Sequence, residues 1–167
     1  GTIGFHYFAG YSGGMKAIMP GVSTREAIQH NHREMVRPEA CAGRLAGNPV
    51  REDIDEARSL CPAHFLLNVV LGEDKRILGA FAGDVIDAHR AGCAFLDSLY
   101  KVRLDRPADI VLVSAGGFPK DINLYQAQKA LDNAKQAAAD GGIIILVAQC
   151  GEGPGDVDRG NRGRLEG

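Results

Sequence analysis

The run Gly10-Tyr11-Ser12-Gly13-Gly14-Met15-Lys16 is the first place in this chain where residue types and spacing suggest chemistry. Glycines let backbone amides approach an anion closely, and a lysine at the end of such a run suits a phosphate. The run departs from the nucleotide-triphosphate loop, because no Gly-Lys-Ser/Thr is present and no strand-loop-helix frame follows directly. A glycine-rich turn ending in a solvated lysine is the other reading. His6 stands just before the run, at an expected strand end, where catalytic groups often lie. A helix is expected from Ser23 to Arg37, and at about 100° per residue it places Ile28, His32 and Met35 on one stripe. Glu26, His30, Arg33 and Arg37 fall opposite, so His32 points with the apolar side and His30 to water. An inward histidine is either a hydrogen-bonded core residue or a ligand facing a pocket. His64 and His89 have no such context and read as surface or structural residues.

A second group lies further along. The loop Ala115-Gly116-Gly117-Phe118-Pro119-Lys120 follows an apolar strand, and in open α/β sheets ligands bind at that carboxyl end. On the next helix Leu124, Gln128, Leu131 and Lys135 share one face, while Gln126 and Lys129 share the opposite one. Near the helix start, where the dipole favours negative charge, Gln126 and Lys129 either reach an anionic ligand across a cleft or form a solvated polar face.

The elements that must hold these groups can be read from pattern. Residues 1–22 read as a glycine-rich loop around one short apolar strand end. Ser23 and Glu26 have the spacing of a capping box, and Pro38 ends the helix after Arg37. A second short helix is expected over Arg51–Leu60. Phe65–Leu71 and Arg76–Phe81 read as strands joined by a Gly72-Glu73-Asp74-Lys75 turn. Asp84 caps a helix over Val85–Tyr100, and Arg103–Pro107 reads as a boundary between packing units. Asp109–Ser114, a helix over Asp121–Ala139 stopped by Gly141-Gly142, and Ile143–Ala148 form a βαβ unit, so its strands should run parallel. The fold class is therefore α/β: the end of an N-terminal α/β domain, then a βαβ unit beginning a second α/β domain. The expected divisions are 1–103, 104–153 and a disordered tail over 154–167, whose Gly, Asp and Arg have little to bury.

Composition removes whole classes. At 167 residues the chain can bury a real core. With 19 Lys and Arg against 21 Asp and Glu, no basic nucleic-acid platform is expected. No apolar run approaches membrane-spanning length, and no signal peptide is visible, so a cytoplasmic protein is the expectation. Cys41, Cys61, Cys93 and Cys150 form no Cys-x-x-Cys pair, which excludes a zinc ribbon or thioredoxin motif. The absence of Gly-x-Gly-x-x-Gly after a strand argues against a nicotinamide-dependent oxidoreductase.

Taken together, several segments resemble one family, the nickel-pincer-nucleotide lactate racemases and their relatives acting on other 2-hydroxy acids. The matching residues are His6-Tyr7-Phe8-Ala9-Gly10-Tyr11-Ser12-Gly13-Gly14-Met15-Lys16, Ile18-Met19-Pro20-Gly21-Val22, Asn31-His32, Gly47-Asn48-Pro49-Val50, Leu67-Asn68-Val69-Val70, and the run from Ala115 through Lys129. The resemblance covers about residues 4–153. It implies a nickel cofactor, a pyridinium-3,5-bisthiocarboxylic acid mononucleotide that holds the metal through sulfur, carbon and sulfur. It implies covalent attachment of that group at Lys16, with Ser12, Gly13 and Gly14 beside it and His32 as the protein's nickel ligand. Soft sulfur with an imidazole suits Ni(II). It further implies that His6 is one of two acid/base histidines and that Gln126 and Lys129 hold the substrate. Lactate is the default 2-hydroxy acid, and cofactor-maturation enzymes are implied partners. The second histidine base and a carboxylate-binding arginine belong, in the family, to a region before His6. The resemblance thus implies a central segment of a longer isomerase, inactive by itself. A non-catalytic module that binds a nucleotide or anion is the alternative.

Overall fold

The computed structural model describes residues 1–155. The expected tail lies outside the described residues except for Pro154 and Gly155. The chain divides into a unit over Gly1–Val102 and a second from Arg103 onward.

In the first unit, Thr2–Ile3 (β1) runs parallel to Leu66–Leu71 (β4), which pairs antiparallel with Ile77–Gly83 (β5). Phe5–His6 (β2) and Gly10–Tyr11 (β3) form a separate antiparallel pair, with Phe5 opposite Tyr11 and His6 opposite Gly10. The opening residues are thus more ordered than the single strand end expected there. A 3-10 turn over Gly14–Ala17 follows and packs against the helices over Pro49–Leu60 and Val85–Tyr100.

Helix α2 spans Pro49–Leu60 and α3 spans Val85–Tyr100. Asp84 caps α3, its carboxylate accepting from the amides of Ile86 and Asp87, which holds its pKa below the usual carboxylate value. Val85, Ala88, His89, Gly92, Cys93 and Leu96 form the buried stripe of α3, spaced by three and four as an amphipathic helix requires. Cys93 and Leu96 meet Ile3, Tyr11 and Val70, while Val85 joins Phe8, Met15, Met19, Val50 and Ile54 in a second cluster.

Helix α1 is shorter than expected, Arg25–Arg33, and Glu34–Val36 continue as 3-10 turn. Its cap is Thr24, whose hydroxyl accepts from the Ala27 amide. Ser23 donates instead to the Ile18 carbonyl, so the capping box does not form. The buried residue of α1 is Asn31, which donates to the Val50 carbonyl and the Asp53 carboxylate. Ile28 and His32 flank it half-buried, and Met35 is exposed.

In the second unit Ala108–Ser114 (β6) and Ala138–Val147 (β7) are parallel, joined through Leu124–Lys135 (α4). The helix ends at Lys135, so Gly141-Gly142 does not stop it. Those glycines lie inside β7, where the register slips between Ala108 and Ile110. Gly141 sits at φ 77°, and a Cβ on Gly142 would lie 2.9 Å from the Ala139 carbonyl oxygen, so the slip needs both glycines. Ile110, Leu112, Ile143, Ile145 and Val147 are exposed on the face opposite that of Val111, Val113, Ile144 and Leu146.

Asn48 is fully buried and joins helix to loop. Its side-chain oxygen accepts from the Arg51 amide, and its amide nitrogen donates to the carbonyls of Phe8 and Arg44. Asn48→Ala should destabilise the protein by about 2–3 kcal/mol, because a cap is lost and buried carbonyls lose their donor. Asn48→Ser should recover about 1 kcal/mol through the cap alone. Urea-unfolding midpoints of the two variants check both values.

Candidate functional site

Lys16, His6 and His32 all belong to the first unit. His6 ends β2 and His32 lies in the last turn of α1, and both rings pack edge-on to Phe8, at centroid distances of 4.6 and 5.1 Å. Phe8 is itself buried in the core, so the two imidazoles flank a ring packed among core side chains. The Ala9 amide donates to His6 Nδ1 at 3.3 Å, and Tyr7 stacks on the same ring at 5.1 Å, which orients it.

His32 Nδ1 lies 2.8 Å from the Ile28 carbonyl oxygen. A carbonyl only accepts, so Nδ1 carries the proton and the lone pair is on Nε2. Metal-binding histidines are commonly fixed by this kind of bond on the other nitrogen. His30 is exposed, as helix phase predicts, and so is His64.

Lys16 lies in the 3-10 turn and is half-buried. Its pKa is lowered, first by loss of water around the ammonium and then by the nearby charge of Arg51. A less basic amine is a better nucleophile near neutral pH. The neighbouring residues are engaged within the chain: Gly4 donates to the Ser12 hydroxyl, which itself donates to the Thr2 carbonyl, and the Gly14 amide donates to Asn68.

Beneath this segment lies a polar cluster that composition and periodicity gave no means of finding. Arg51 on α2 has no exposed surface. It donates through Nε to the Ala9 carbonyl at 3.0 Å and through Nη2 to the Tyr11 carbonyl. Asp55 pairs with Arg51 at 3.5 Å and also with Arg90. The Tyr11 hydroxyl donates to Asp97 at 2.6 Å, and burial together with that carboxylate pushes its pKa well up. His89, read from sequence only as surface or structural, is buried and donates through Nε2 to the Ser12 carbonyl at 2.9 Å. Cys93 lies beside its ring, and burial pushes that thiol up to about 12.

Gln126 and Lys129 belong to the second unit. They line a cavity of about 390 Å³ with Ser114, Ala115, Lys120 and Asn133, at the carboxyl end of β6. Lys129 Nζ donates to Gln126 Oε1 at 2.7 Å and stands 5.8 Å from the Tyr125 ring centroid. Asn123 caps α4 by accepting from the Gln126 amide, so the helix start is ordered beside the cavity. No carboxylate lines it, so the two lysines give it a net positive character.

Among the described residues, no group of three or more His, Cys, Asp or Glu converges as a metal cage. With Nδ1 engaged by the Ile28 carbonyl, His32 could supply one donor through Nε2 to a metal whose other ligands come from a bound group, and the half-buried Lys16 could hold such a group through its amine. Among the described residues, no helix is long and apolar enough to cross a membrane.

The fold and these side chains define an α/β protein with an amine and two imidazoles in one unit and a cationic pocket in the other. Two family models match it, the lactate racemase N-terminal domain over residues 1–43 and the lactate racemase C-terminal domain over residues 104–159. The chain belongs to the lactate racemase family. Lactate racemases of Thermoanaerobacterium thermosaccharolyticum and Lactiplantibacillus plantarum are each 41% identical to it over 93% of its length. The chain spans 37% of the length of each. The structure of the lactate racemase apoprotein from T. thermosaccharolyticum superposes with a TM-score of 0.88 at 40% identity, over 92% of this chain and 37% of that one. A Thermotoga maritima protein shares the fold, with a TM-score of 0.61 at 23% identity, over 86% of this chain and 37% of that one.

Burial depresses the His89 pKa to about 4, from an ordinary 6.5, with Arg51 adding to the depression and the Ser12 bond opposing it. Between those values the unfolded chain binds the proton and the folded chain does not. Stability from this residue is therefore complete above about pH 6.5 and lost as pH falls toward 4, by roughly 3 kcal/mol in all. Urea unfolding at pH 7 and pH 4.5 should show a smaller acid loss in His89→Gln than in the parent.

Proposed function

We propose that this chain is the central part of a nickel-dependent racemase or epimerase of 2-hydroxy acids, with lactate as the first substrate to test. The observation that carries the reading is the donor arrangement of the first unit. A half-buried amine of reduced basicity and an imidazole with its Nε2 lone pair available lie in the same fold as a second imidazole.

In this reading Lys16 holds the pincer pyridinium mononucleotide covalently and His32 Nε2 binds its nickel. Bound there, that group supplies the hydride acceptor for the substrate's α-carbon. His6 takes the hydroxyl proton and returns it, a contribution of roughly 10²–10⁴-fold. Lys129 and Gln126 receive the substrate carboxylate, and the positive character of their cavity suits it. Racemisation needs a second base on the other face of the planar keto acid, which the family supplies from another part of the protein. Maturation enzymes that build and load the cofactor are the partners this chemistry requires. The free thiols suit a reducing compartment such as the cytoplasm.

The test is conversion of one lactate enantiomer to the other by the full-length protein made with the maturation enzymes. His32→Ala should lose nickel and turnover, whereas His30→Ala should keep most of both. Equal nickel in the two variants would remove His32 from this role. Lys129→Ala should lower kcat/KM by an amount equivalent to about 1.5–3 kcal/mol, the value of a hydrogen bond to a charged group. An unchanged kcat/KM would place the substrate carboxylate elsewhere.

A further inference from the structure

The glycines before Lys16 read from sequence either as a cradle for an anion or as a plain glycine-rich turn. In the structure, two side chains from distant parts of the chain occupy the space they leave. Asn68 on β4 is buried, and its Oδ1 accepts from the Gly14 amide at 2.8 Å. A Cβ on Gly13 would lie 2.7 Å from that same oxygen. His89 on α3 donates to the Ser12 carbonyl, and a Cβ on Gly14 would lie 2.8 Å from its ring. Gly13 and Gly14 both have positive φ, at 80° and 62°. The turn therefore needs glycine for its backbone and for the close approach of Asn68 and His89.

We propose that Asn68 and His89 are positioning residues for Lys16, locking the Ser12-Gly13-Gly14 turn so that the 3-10 turn after it presents the amine from a half-buried place. The proposal rests on the reading of Lys16 as the attachment point. Each side chain grips a different peptide of the turn, one by accepting and one by donating. The Lys16 amide in turn donates to the Gly13 carbonyl, so the grip passes directly into the lysine's own backbone. His89 is neutral over the working pH range, so its bond to Ser12 is constant there. Arg51 is the charged group facing Lys16, and it is tied to the Ala9 and Tyr11 carbonyls of the same segment. A turn released by Asn68 or His89 lets the amine move toward water and away from that cation.

The experiment measures the reactivity of Lys16 in the full-length protein before cofactor loading. Trace labelling with the N-hydroxysuccinimide ester of acetate, followed by peptide mass mapping, gives the rate of Lys16 acetylation against pH. In Asn68→Leu and His89→Leu the midpoint of that profile should rise by about one pH unit, a roughly tenfold slower reaction at pH 8. His89→Gln places an amide nitrogen where Nε2 stood and should keep the parental midpoint. His89→Asn, whose amide is too short to reach Ser12, should shift it as leucine does. The Gln and Asn pair decides the matter if the leucine variants do not fold. An unmoved midpoint in His89→Asn, or an equal rise in His89→Gln, overturns the proposal. Cofactor loading does not enter this readout, so a failure of the positioning role and a failure of the attachment reading give different results.

Discussion

The guanidinium of Arg51 is the constraint on which the first unit depends. It is a charge without contact with water, and leaving any such charge unpaired costs several kcal/mol. Its compensation comes from the carbonyls of Ala9 and Tyr11 and from Asp55. Those carbonyls belong to the segment that carries His6 on one side and Lys16 on the other. The requirement to satisfy one buried cation thus fixes where α2 meets the glycine-rich segment. It also places a positive charge near the Lys16 amine, which lowers that amine's basicity beyond what burial does. The cluster's packing and its effect on the candidate attachment residue have the same cause.

The rest of the unit extends this arrangement. Asp55 also pairs with Arg90, joining α2 to α3, and α3 contributes His89 to the same segment. Asn48 ties the start of α2 to the Phe8 carbonyl, and Phe8 carries the rings of His6 and His32 on its edges. Asn31 ties α1 to α2 one residue before His32. The groups proposed to exchange protons and bind metal therefore stand on backbone that buried polar side chains hold. Arg51 Nη1, Asp55 Oδ1 and Arg90 Nη1 make no hydrogen bond, so this cluster is held by charge pairing together with the bonds from Arg51 to the Ala9 and Tyr11 carbonyls.

Local signals were legible in the residues where the interaction itself is local. Asp84 caps α3 and the Gly72–Lys75 turn joins β4 to β5, because both depend on neighbours within a few residues. The parallel pairing of β6 and β7 followed from two apolar runs around a helix. Ser23 and Thr24 are adjacent cap formers, and only the position of the Ile18 carbonyl decides between them. Gly141-Gly142 resembles a helix stop in sequence, yet it serves a slipped register whose partner is Ala108 and Ile110. Arg51, Asn68 and His89 reach carbonyls and amides 40 to 77 positions away, so no window along the chain reveals them. The candidate site residues came into view through family resemblance, and the structure supplies physical reasons for the states of Lys16 and His32.

The proposed reaction depends above all on Lys16 serving as the covalent anchor of a nickel-bearing nucleotide. The most direct measurement is the mass of the Lys16-bearing peptide from full-length protein produced with the maturation enzymes in nickel-supplemented medium. A covalent increment that fragmentation localises to Lys16, and that disappears in Lys16→Arg, is the expected result. Active, nickel-containing protein whose Lys16 peptide is unmodified would contradict it.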